Sequence, residues 1–121
     1  MKADNDLTIQ TLKKLSEEFV AERDWQQFHT PKNMSMDIAV EAAELMELFL
    51  WCESKDSLDC VEQNRQEIED EVADVFNALL CFCNSANIDL TAAFLSKLEK
   101  VKKKYPVEKA RGRAVKYTQL K

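Results

Sequence analysis

The fold is decided by residues 38–49, IAVEAAELMELF, where apolar residues recur at helical spacing around the acidic ones. Glu41 lies on one helical stripe with three apolar residues: Ile38, Leu45 and Leu48. Glu44 follows three residues later, so the two carboxylates are neighbours on the helix surface. Because no Lys or Arg occurs between residues 33 and 54, burying Glu41 is costly unless positive charge arrives from outside the chain.

Residues 68–82, IEDEVADVFNALLCF, repeat this arrangement. Glu71 shares a stripe with four apolar residues: Ile68, Val75, Ala78 and Phe82. Asp74 follows three residues later, and no Lys or Arg occurs between residues 66 and 96. If the two helices lie antiparallel, the two pairs of carboxylates can face each other. Clustered carboxylate oxygens suit hard divalent cations, so the sequence predicts a site for Mg²⁺, with Mn²⁺ able to substitute.

Glu47, one turn beyond Glu44, is a further candidate at this site. It could hold a second metal or the attacking water, whereas a solvated glutamate without a role is the alternative that the pattern leaves open. Because Mg²⁺ usually keeps some of its waters and also binds substrate phosphates, an all-carboxylate site favours phosphoryl chemistry.

Length and composition favour a single all-α domain over residues 1–121. The chain can bury one core, and its one Gly and two Pro supply few of the turns that a sheet protein needs. Apolar periodicity predicts four helices, with Asp89 as the N-cap of the last: 6–23, 34–52, 61–85 and 90–104. Loops are expected at 24–33 and 53–60, in a bundle-like fold of four helices. The residues expected to face the core in the first two helices are Leu7, Leu12, Leu15, Phe19, Val20, Ile38, Ala42, Leu45 and Phe49.

The charge is unevenly distributed along the chain. Residues 1–96 hold 20 acidic and 7 basic side chains (−13), and residues 97–121 hold 2 and 10 (+8), which together give the net charge of −5. The acidic body would repel a nucleic-acid polymer, so the basic end fits a short polyphosphate better, or simply a solvated end. Candidates to hold the phosphates are Lys97, Lys100, Lys104, Arg111 and Arg113, the last two in the tail from about residue 105. Lys97 and Lys104 are favoured because the last helix fixes them in place.

The cysteines favour a cytoplasmic protein with reduced thiols. Cys52, Cys60, Cys81 and Cys83 form no CxxC pair, and a lone histidine supports no zinc site. Cys81 and Cys83 lie in an apolar helical run, which predicts that they are buried. No signal peptide or membrane-length apolar run is found, so no membrane partner is expected.

Dispersed motifs carry a family resemblance over almost the whole chain. They are VEAAELMELF at 40–49, EVADV at 71–75, ERDWQQFH at 22–29, LSK at 95–97, YP at 105–106 and KYT at 116–118. In this order and spacing they resemble the MazG-like all-α nucleoside triphosphate pyrophosphohydrolases, and in particular their dCTP pyrophosphatase branch.

The resemblance implies Mg²⁺-dependent cleavage between the α and β phosphates of a deoxynucleoside triphosphate, with nucleotide-pool house-cleaning as its role. The metal ligands that it implies are Glu41, Glu44, Glu71 and Asp74. It also implies a dimer or tetramer with active sites at subunit interfaces. Trp25 corresponds to the aromatic residue that stacks on the base, and Trp51 is a second candidate.

This chain departs from the pattern at three positions. Ser16 stands where the relatives carry a histidine, Ala78 replaces a tyrosine, and Val101 replaces an asparagine. The first two bear on the nucleoside, so the reaction type is better determined than the base. dCTP or a modified pyrimidine analogue is the favoured substrate. The alternatives are a related pyrophosphohydrolase acting on dUTP or phosphoribosyl-ATP, and a non-enzymatic helical oligomerisation module that would not respond to Mg²⁺.

Overall fold

The computed structural model describes all 121 residues and is built of helices without strands, which confirms the all-α prediction. The helices are α1 (Ile9–Glu22), α2 (Pro31–Glu47), α3 (Ser57–Gln63), α4 (Arg65–Ala86), α5 (Leu90–Lys104) and α6 (Val107–Ala110). Three short 3₁₀ turns lie at Gln26–Phe28, Ser54–Asp56 and Tyr117–Gln119. The chain forms two compact units, residues 1–87 and residues 88–121. The prediction of one functional domain stays a prediction.

Threonine caps set where the first two helices begin. The Thr8 hydroxyl accepts the N–H of Thr11 at the start of α1, and the Thr30 hydroxyl accepts the N–H of Asn33 at the start of α2. Pro31 occupies the first position of α2, where its missing N–H costs nothing. Helix α2 therefore begins three residues before the predicted start at residue 34.

The end of α2 was predicted too late. The helix ends at Glu47, not at Cys52, because the following N–H groups bond three rather than four residues back. Leu48 donates to the carbonyl of Leu45, and Phe49 donates to that of Met46. This tightening turns the chain out of the helix, so Trp51 and Cys52 lie in a turn that follows α2.

The predicted helix over 61–85 is two helices that meet at Asn64. The side-chain amide of Asn64 donates to the carbonyl of Cys60 at 3.0 Å, and its backbone leaves helical geometry (φ −126°, ψ 32°). Asparagine competes with the helix ladder in this way, which a pattern of apolar residues does not reveal. The short helix α3 therefore occupies part of the segment predicted to be a loop.

In the first unit, α1, α2 and α4 pack around a small core. Val20 from α1, Met34 from α2 and Cys81 from α4 form its centre, with Phe82 packed against it. Helix α2 packs along α4, which gives this unit its largest helix–helix contact. The hydrogen bonds that join α1 to α4 include Ser16 Oγ to Asn77 Oδ1 at 2.6 Å, Ser16 Oγ with Cys81 Sγ at 3.3 Å, and Asn84 Nδ2 to the Lys13 carbonyl at 2.9 Å.

Several residues expected in the core are exposed. Ala42 is on the surface, and Leu15 and Phe19 are about half exposed. Val20 is buried as predicted, and Leu7, Leu12, Ile38, Leu45 and Phe49 are partly buried. The apolar stripes of α1 and α2 are thus wider than the part of each helix that this unit covers.

In the second unit, α5 has the predicted bounds. The Asp89 carboxylate accepts the N–H of Ala92 at 2.9 Å, which confirms Asp89 as the N-cap. Further along, the Tyr105 hydroxyl accepts the N–H of Tyr117 at 3.1 Å, and the two rings pack edge to face. No regular element was predicted after residue 105, whereas the structure contains α6 and a 3₁₀ turn there.

The expectation of reduced thiols is wrong for two cysteines. Cys52 and Cys60 form a disulfide, because the turn after α2 and the start of α3 bring them together. Cys81 and Cys83 are free and buried, as predicted. No single helix is long and apolar enough to cross a membrane; α4 and α5, taken together as a broken pair, pass on length and composition alone.

Candidate metal centre

Three carboxylates meet where α2 packs along α4. Oxygens of Glu41 and Glu44 from α2 and of Glu71 from α4 all lie within 4.8 Å of one another. These three residues are called the acidic cluster below. The two helices thus bring one predicted pair of carboxylates against a member of the other pair.

The apolar neighbours of each glutamate explain this convergence. Ile68, three residues before Glu71, and Ala78, seven residues after it, are both buried. Residues three and seven apart lie on the same face of a helix, so the face that α4 buries carries Glu71 with it. On α2, Glu41 lies between the partly buried Ile38 and Leu45 and is partly buried itself.

Two oxygens in the acidic cluster are sealed from solvent without a partner. Glu41 Oε2 and Glu71 Oε2 are buried and accept no hydrogen bond. The ion pairs of the chain join other residues, such as Arg65 with Glu62 and Glu69. Unsatisfied buried oxygens are uncommon in folded proteins, and on a carboxylate they point to a missing cation or proton.

The surroundings raise the pKa of two residues of the cluster, Glu41 and Glu71. Burial, followed by the charge of Glu44 and a hydrogen bond with it, raises the pKa of Glu41 to about 7. The pKa of Glu71 is also raised, first by burial and then by the charges of Glu44 and Asp74. Negative charge is therefore crowded here beyond what the protein itself neutralises.

Asp74 lies beside the acidic cluster, but it is not one of the three residues whose oxygens lie within 4.8 Å of one another. It is exposed, yet its charge helps to raise the pKa of both Glu41 and Glu71. Two acids that the sequence analysis missed act in the same way: Asp37 on Glu41, and Glu67 on Glu71. Each lies four residues before the glutamate that it affects, and this spacing could have revealed them.

The donors of this site fit a hard divalent cation. They are all carboxylate oxygens from two helices, with no thiol or imidazole among them, which suits Mg²⁺ or Mn²⁺ rather than zinc. A cation bound here would supply the partner that Glu41 Oε2 and Glu71 Oε2 lack.

Glu47 is separate from the acidic cluster. It is the last residue of α2, it is exposed, and it is not among the acids that raise the pKa of Glu41 or Glu71. Its position thus provides no support for a role in metal binding or in orienting water, and that role stays a prediction.

The two tryptophans differ in their surroundings. Trp25 is 43% exposed and packs edge to face against Phe19, with ring centroids 5.8 Å apart. Arg23 stacks on the same phenylalanine ring. Trp51 is 94% exposed, which is unusual for a tryptophan and leaves its ring available to a ligand or to another chain.

The basic candidates all lie in the second unit. Lys97 is exposed on α5, and Arg111 is exposed just after α6. Lys104 lies over the Tyr117 ring, 4.7 Å from its centre, so part of its binding capacity is used within this unit. Their role in holding phosphates stays a prediction.

An open cleft of about 540 Å³ lies between α1 and α4. Its lining includes Phe19 and Phe76, together with the hydrogen-bonded pair Ser16 and Asn77. Ala73, next to Asp74 in sequence, also lines it, whereas Glu41, Glu44 and Glu71 do not. Asn77 was not predicted as a site residue, because nothing near it in sequence indicates its bond with Ser16.

Comparisons with known proteins agree with this geometry. A model of the MazG-like family matches residues 36–120. The chain is 36% identical to dCTP pyrophosphatase 1 of Rattus norvegicus over 115 residues, which cover 93% of this chain and 68% of the relative. The Homo sapiens protein of the same name is 35% identical over the same shares.

A solved structure is also similar. It is a pyrophosphatase from Archaeoglobus fulgidus DSM 4304, with a TM-score of 0.79 and 36% sequence identity, covering 88% of this chain and 99% of the other. The resemblance that the sequence motifs carry is thereby confirmed. This chain belongs to the MazG-like family and is a nucleoside triphosphate pyrophosphohydrolase.

Proposed function

We propose that the chain hydrolyses deoxynucleoside triphosphates to the monophosphate and pyrophosphate, with Mg²⁺ held by Glu41, Glu44, Glu71 and Asp74. The observation that carries this proposal is the pair of sealed, unpartnered oxygens on Glu41 and Glu71. Mn²⁺ is expected to substitute, because it accepts the same oxygen ligands. dCTP or a modified pyrimidine analogue is the favoured substrate, since the relatives from rat and man are named dCTP pyrophosphatases.

The carboxylates have two tasks in this reaction. They fix the cation between two packed helices, and they must give up the proton that Glu41 holds up to about pH 7 in the metal-free protein. When bound, Mg²⁺ polarises the phosphoryl group and neutralises charge on the leaving pyrophosphate. Glu47 would orient the attacking water or hold a second ion, and it is the least supported member of the site.

The cleft between α1 and α4 is the proposed place for the nucleoside. Its volume of about 540 Å³ is typical of small-ligand pockets, and its α4 lining begins at Ala73, two residues after Glu71 in sequence. Trp25 packs against Phe19, which lines the cleft, so a base stacked on Trp25 would lie at its mouth. Trp51 is the second stacking candidate because its ring is almost fully exposed.

The departures at residues 16 and 78 bear on the choice of base. The Ser16 hydroxyl donates to Asn77, and Ala78 is 1% exposed, so residue 78 offers no aromatic surface to a ligand. The polar residues that line the cleft are Asp4, Ser16 and Asn77, and we propose that Ser16 and Asn77 contact the base or the sugar. The amide of Asn77 can both donate and accept, which fits a pyrimidine edge.

Lys97, Lys104 and Arg111 are proposed to hold the β and γ phosphates. The net charge of +8 on residues 97–121, against −13 on the rest, supports this role. Val101, which replaces an asparagine of the family pattern, removes one polar contact from this end of the chain.

We propose a homo-oligomer, either a dimer or a tetramer, that works in the cytoplasm as a house-cleaning enzyme. Support comes from the many large apolar side chains that a single chain leaves uncovered, with Met36, Val40, Met46 and Leu50 in or just after α2 and Val72 on α4. Exposed apolar surface of this extent is typical of protein interfaces. Light scattering coupled to size-exclusion chromatography measures the assembly directly.

A panel of nucleoside triphosphates with Mg²⁺ tests the function. We expect pyrophosphate as the product, the highest kcat/KM for dCTP or a modified pyrimidine analogue, and no turnover with excess EDTA. Release of orthophosphate alone would contradict cleavage between the α and β phosphates. Preference for dUTP or phosphoribosyl-ATP would keep the reaction and replace the substrate, and a lack of any response to Mg²⁺ would favour the non-enzymatic module.

A further inference from the structure

A disulfide closes the connection between the two helices that carry the acidic cluster. Cys52 lies in the turn after α2, Cys60 lies in α3, and the bond joins them across eight residues of sequence. Every residue of this closed loop lies between Glu44 on α2 and Glu71 on α4.

Little else holds α3 in place. None of its residues is buried, and Leu58 is 79% exposed. Its main packing is on the adjacent 3₁₀ turn Ser54–Asp56 and on α4. The disulfide is therefore the principal link between α3 and the end of α2, and breaking it would leave residues 53–64 weakly held.

The two bonded sulfurs also differ from the two free ones in access. Cys52 and Cys60 are partly exposed, whereas Cys81 and Cys83 are buried in the core of the first unit. The bonded pair is therefore the more accessible of the two to an external thiol, and exchange requires such access.

Trp51 directly precedes Cys52. Its ring is 94% exposed and makes no ring contact that would hold it. Backbone bonds from the Leu50 N–H to the Glu47 carbonyl and from the Cys52 N–H to the Phe49 carbonyl hold this turn on one side, and the disulfide holds it on the other. The disulfide thus restrains the backbone directly after Trp51.

We propose that Cys52 and Cys60 form a reversible redox switch that controls how firmly the turn with Trp51 grips the nucleobase. In the reducing direction, a dithiol gives two electrons and two protons to the cysteines. Their S–S bond breaks, two thiols form, and the dithiol becomes a cyclic disulfide. A small-molecule disulfide reverses the reaction. The role of Trp51 in this inference rests on the proposed function.

The switch acts on substrate affinity more than on the chemical step. Glu41, Glu44 and Glu71 lie within α2 and α4, which pack along each other independently of the disulfide. Freeing residues 53–64 leaves this packing intact but loosens the backbone that follows Trp51, so placing its ring on a base costs more conformational entropy. We therefore expect KM to rise about fivefold on reduction while kcat changes less than about twofold.

The structural half of the switch is tested without substrate. In the native oxidised protein, Ellman's reagent is expected to find no reactive thiol, and after dithiothreitol two. Hydrogen exchange of residues 53–64 should then accelerate, with little change in α2 and α4, and Tm should fall by about 5–10 °C. Unchanged exchange in residues 53–64, or a reactive pair in the untreated protein under air, would overturn the proposal.

Cys52→Ser and Cys60→Ser provide the matched variants. Each should show the high KM of the reduced wild-type protein and should no longer respond to dithiothreitol, which separates the switch from any other effect of the reductant. If one variant fails to fold, the other variant and the reduced wild-type protein still measure KM in the absence of the disulfide. An equal KM in the oxidised and reduced wild-type proteins would refute the control of base binding.

Failure of the switch and failure of the proposed function give different results. Hydrolysis that is identical in both redox states would leave the proposed function standing and remove the switch. Absence of hydrolysis and of Mg²⁺-dependent nucleotide binding in both states would contradict the proposed function. In that case the exchange data would still decide whether the disulfide orders residues 53–64, and the claim about the nucleobase would fall.

Discussion

Two groups of acids lie around the N-terminal half of α4, and their electrostatic environments are opposite. Glu62 and Glu69 are exposed and both contact Arg65, whose hydrogen bond and charge lower the pKa of Glu62. Glu71, only two residues after Glu69, lies in the acidic cluster, where burial and neighbouring carboxylates raise its pKa. Two residues correspond to a rotation of about 200° around a helix, so the two glutamates point to opposite faces.

This difference is the one expected between an acid that binds a cation and a solvated acid. Neighbouring acidic residues occur in both groups, so their presence alone does not identify a site. Glu62 and Glu69, called the paired group below, interact with Arg65 in the same chain, so their carboxylates need no external cation. The acidic cluster has sealed oxygens and no basic side chain paired with it, so its charge is available to a ligand.

The largest expected effect comes from removing one charge from the acidic cluster. Glu71→Gln keeps the shape of the side chain but removes a proposed metal ligand, so kcat/KM should fall by about 10³-fold. The measurement is pyrophosphate release at saturating Mg²⁺, with light scattering to show that the assembly is intact. A variant with the wild-type rate would exclude Glu71 from the site.

Glu69→Gln is the matched control for that change. It makes the same substitution on the same helix two residues away, and it removes only an exposed contact to Arg65 at 3.3 Å. Its kcat/KM should stay within about twofold of the wild-type value. Equal losses in the two variants would mean that net charge, and not the metal site, governs the rate.

The same contrast shows how far the sequence can be interpreted. The absence of Lys and Arg from 66–96, together with the apolar stripe around Glu71, was enough to single out this glutamate. The bounds of α5 and its Asp89 cap were also predictable, because an N-cap and a following proline are local signals.

The parts that the sequence did not reveal depend on contacts between distant or competing groups. The end of α2 at Glu47 follows from a switch in backbone bonding, and the break at Asn64 follows from a side chain that bonds a carbonyl. The bond between Cys52 and Cys60 depends on a turn that only the folded chain displays. Asn77 was missed because its partner Ser16 is 61 residues away in sequence.

A substitution at Trp25 leaves both groups of acids unchanged and tests the binding of the base. Trp25→Ala should raise KM for the nucleotide about tenfold, because a stacked base loses an aromatic partner. Its effect on kcat should be smaller than threefold, since the acidic cluster keeps its geometry. Steady-state kinetics measure both values, and a loss confined to kcat would contradict a role in base binding.

The two acid groups should also respond oppositely to pH. The pKa of Glu41 is about 7 in the folded protein and near 4.5 when unfolded, so the folded state binds the extra proton between these values. Its stabilising effect is complete below about pH 4.5 and is lost as pH rises through 7. Glu71 has the same sign. Thus Tm of the metal-free protein should fall by several degrees between about pH 5 and pH 8.

Mg²⁺ and one variant separate this effect from the other titrating groups. Saturating Mg²⁺ should restore Tm most at about pH 8, where the carboxylates are free of protons and bind the ion best. Glu41→Gln in EDTA should flatten the fall, because the repelling charge is gone. Differential scanning calorimetry gives the Tm values, and a rise of Tm with pH across this range would contradict the assignment.

The smallest effect is expected for the paired group. Arg65→Gln removes the partner of both Glu62 and Glu69, yet all three side chains are more than half exposed, so water replaces the lost contacts. Tm at neutral pH should fall by only about 1–2 °C.

The lowered pKa of Glu62 also predicts how this change in Tm depends on pH. The stabilisation from Glu62 is present above its unfolded pKa and is lost as pH falls. The difference in Tm between Arg65→Gln and the wild type should therefore become smaller at acidic pH, whereas the stabilisation from protonated Glu41 and Glu71 becomes larger there. A deficit that is independent of pH would show that Arg65 acts through packing of its alkyl chain and not through its charge.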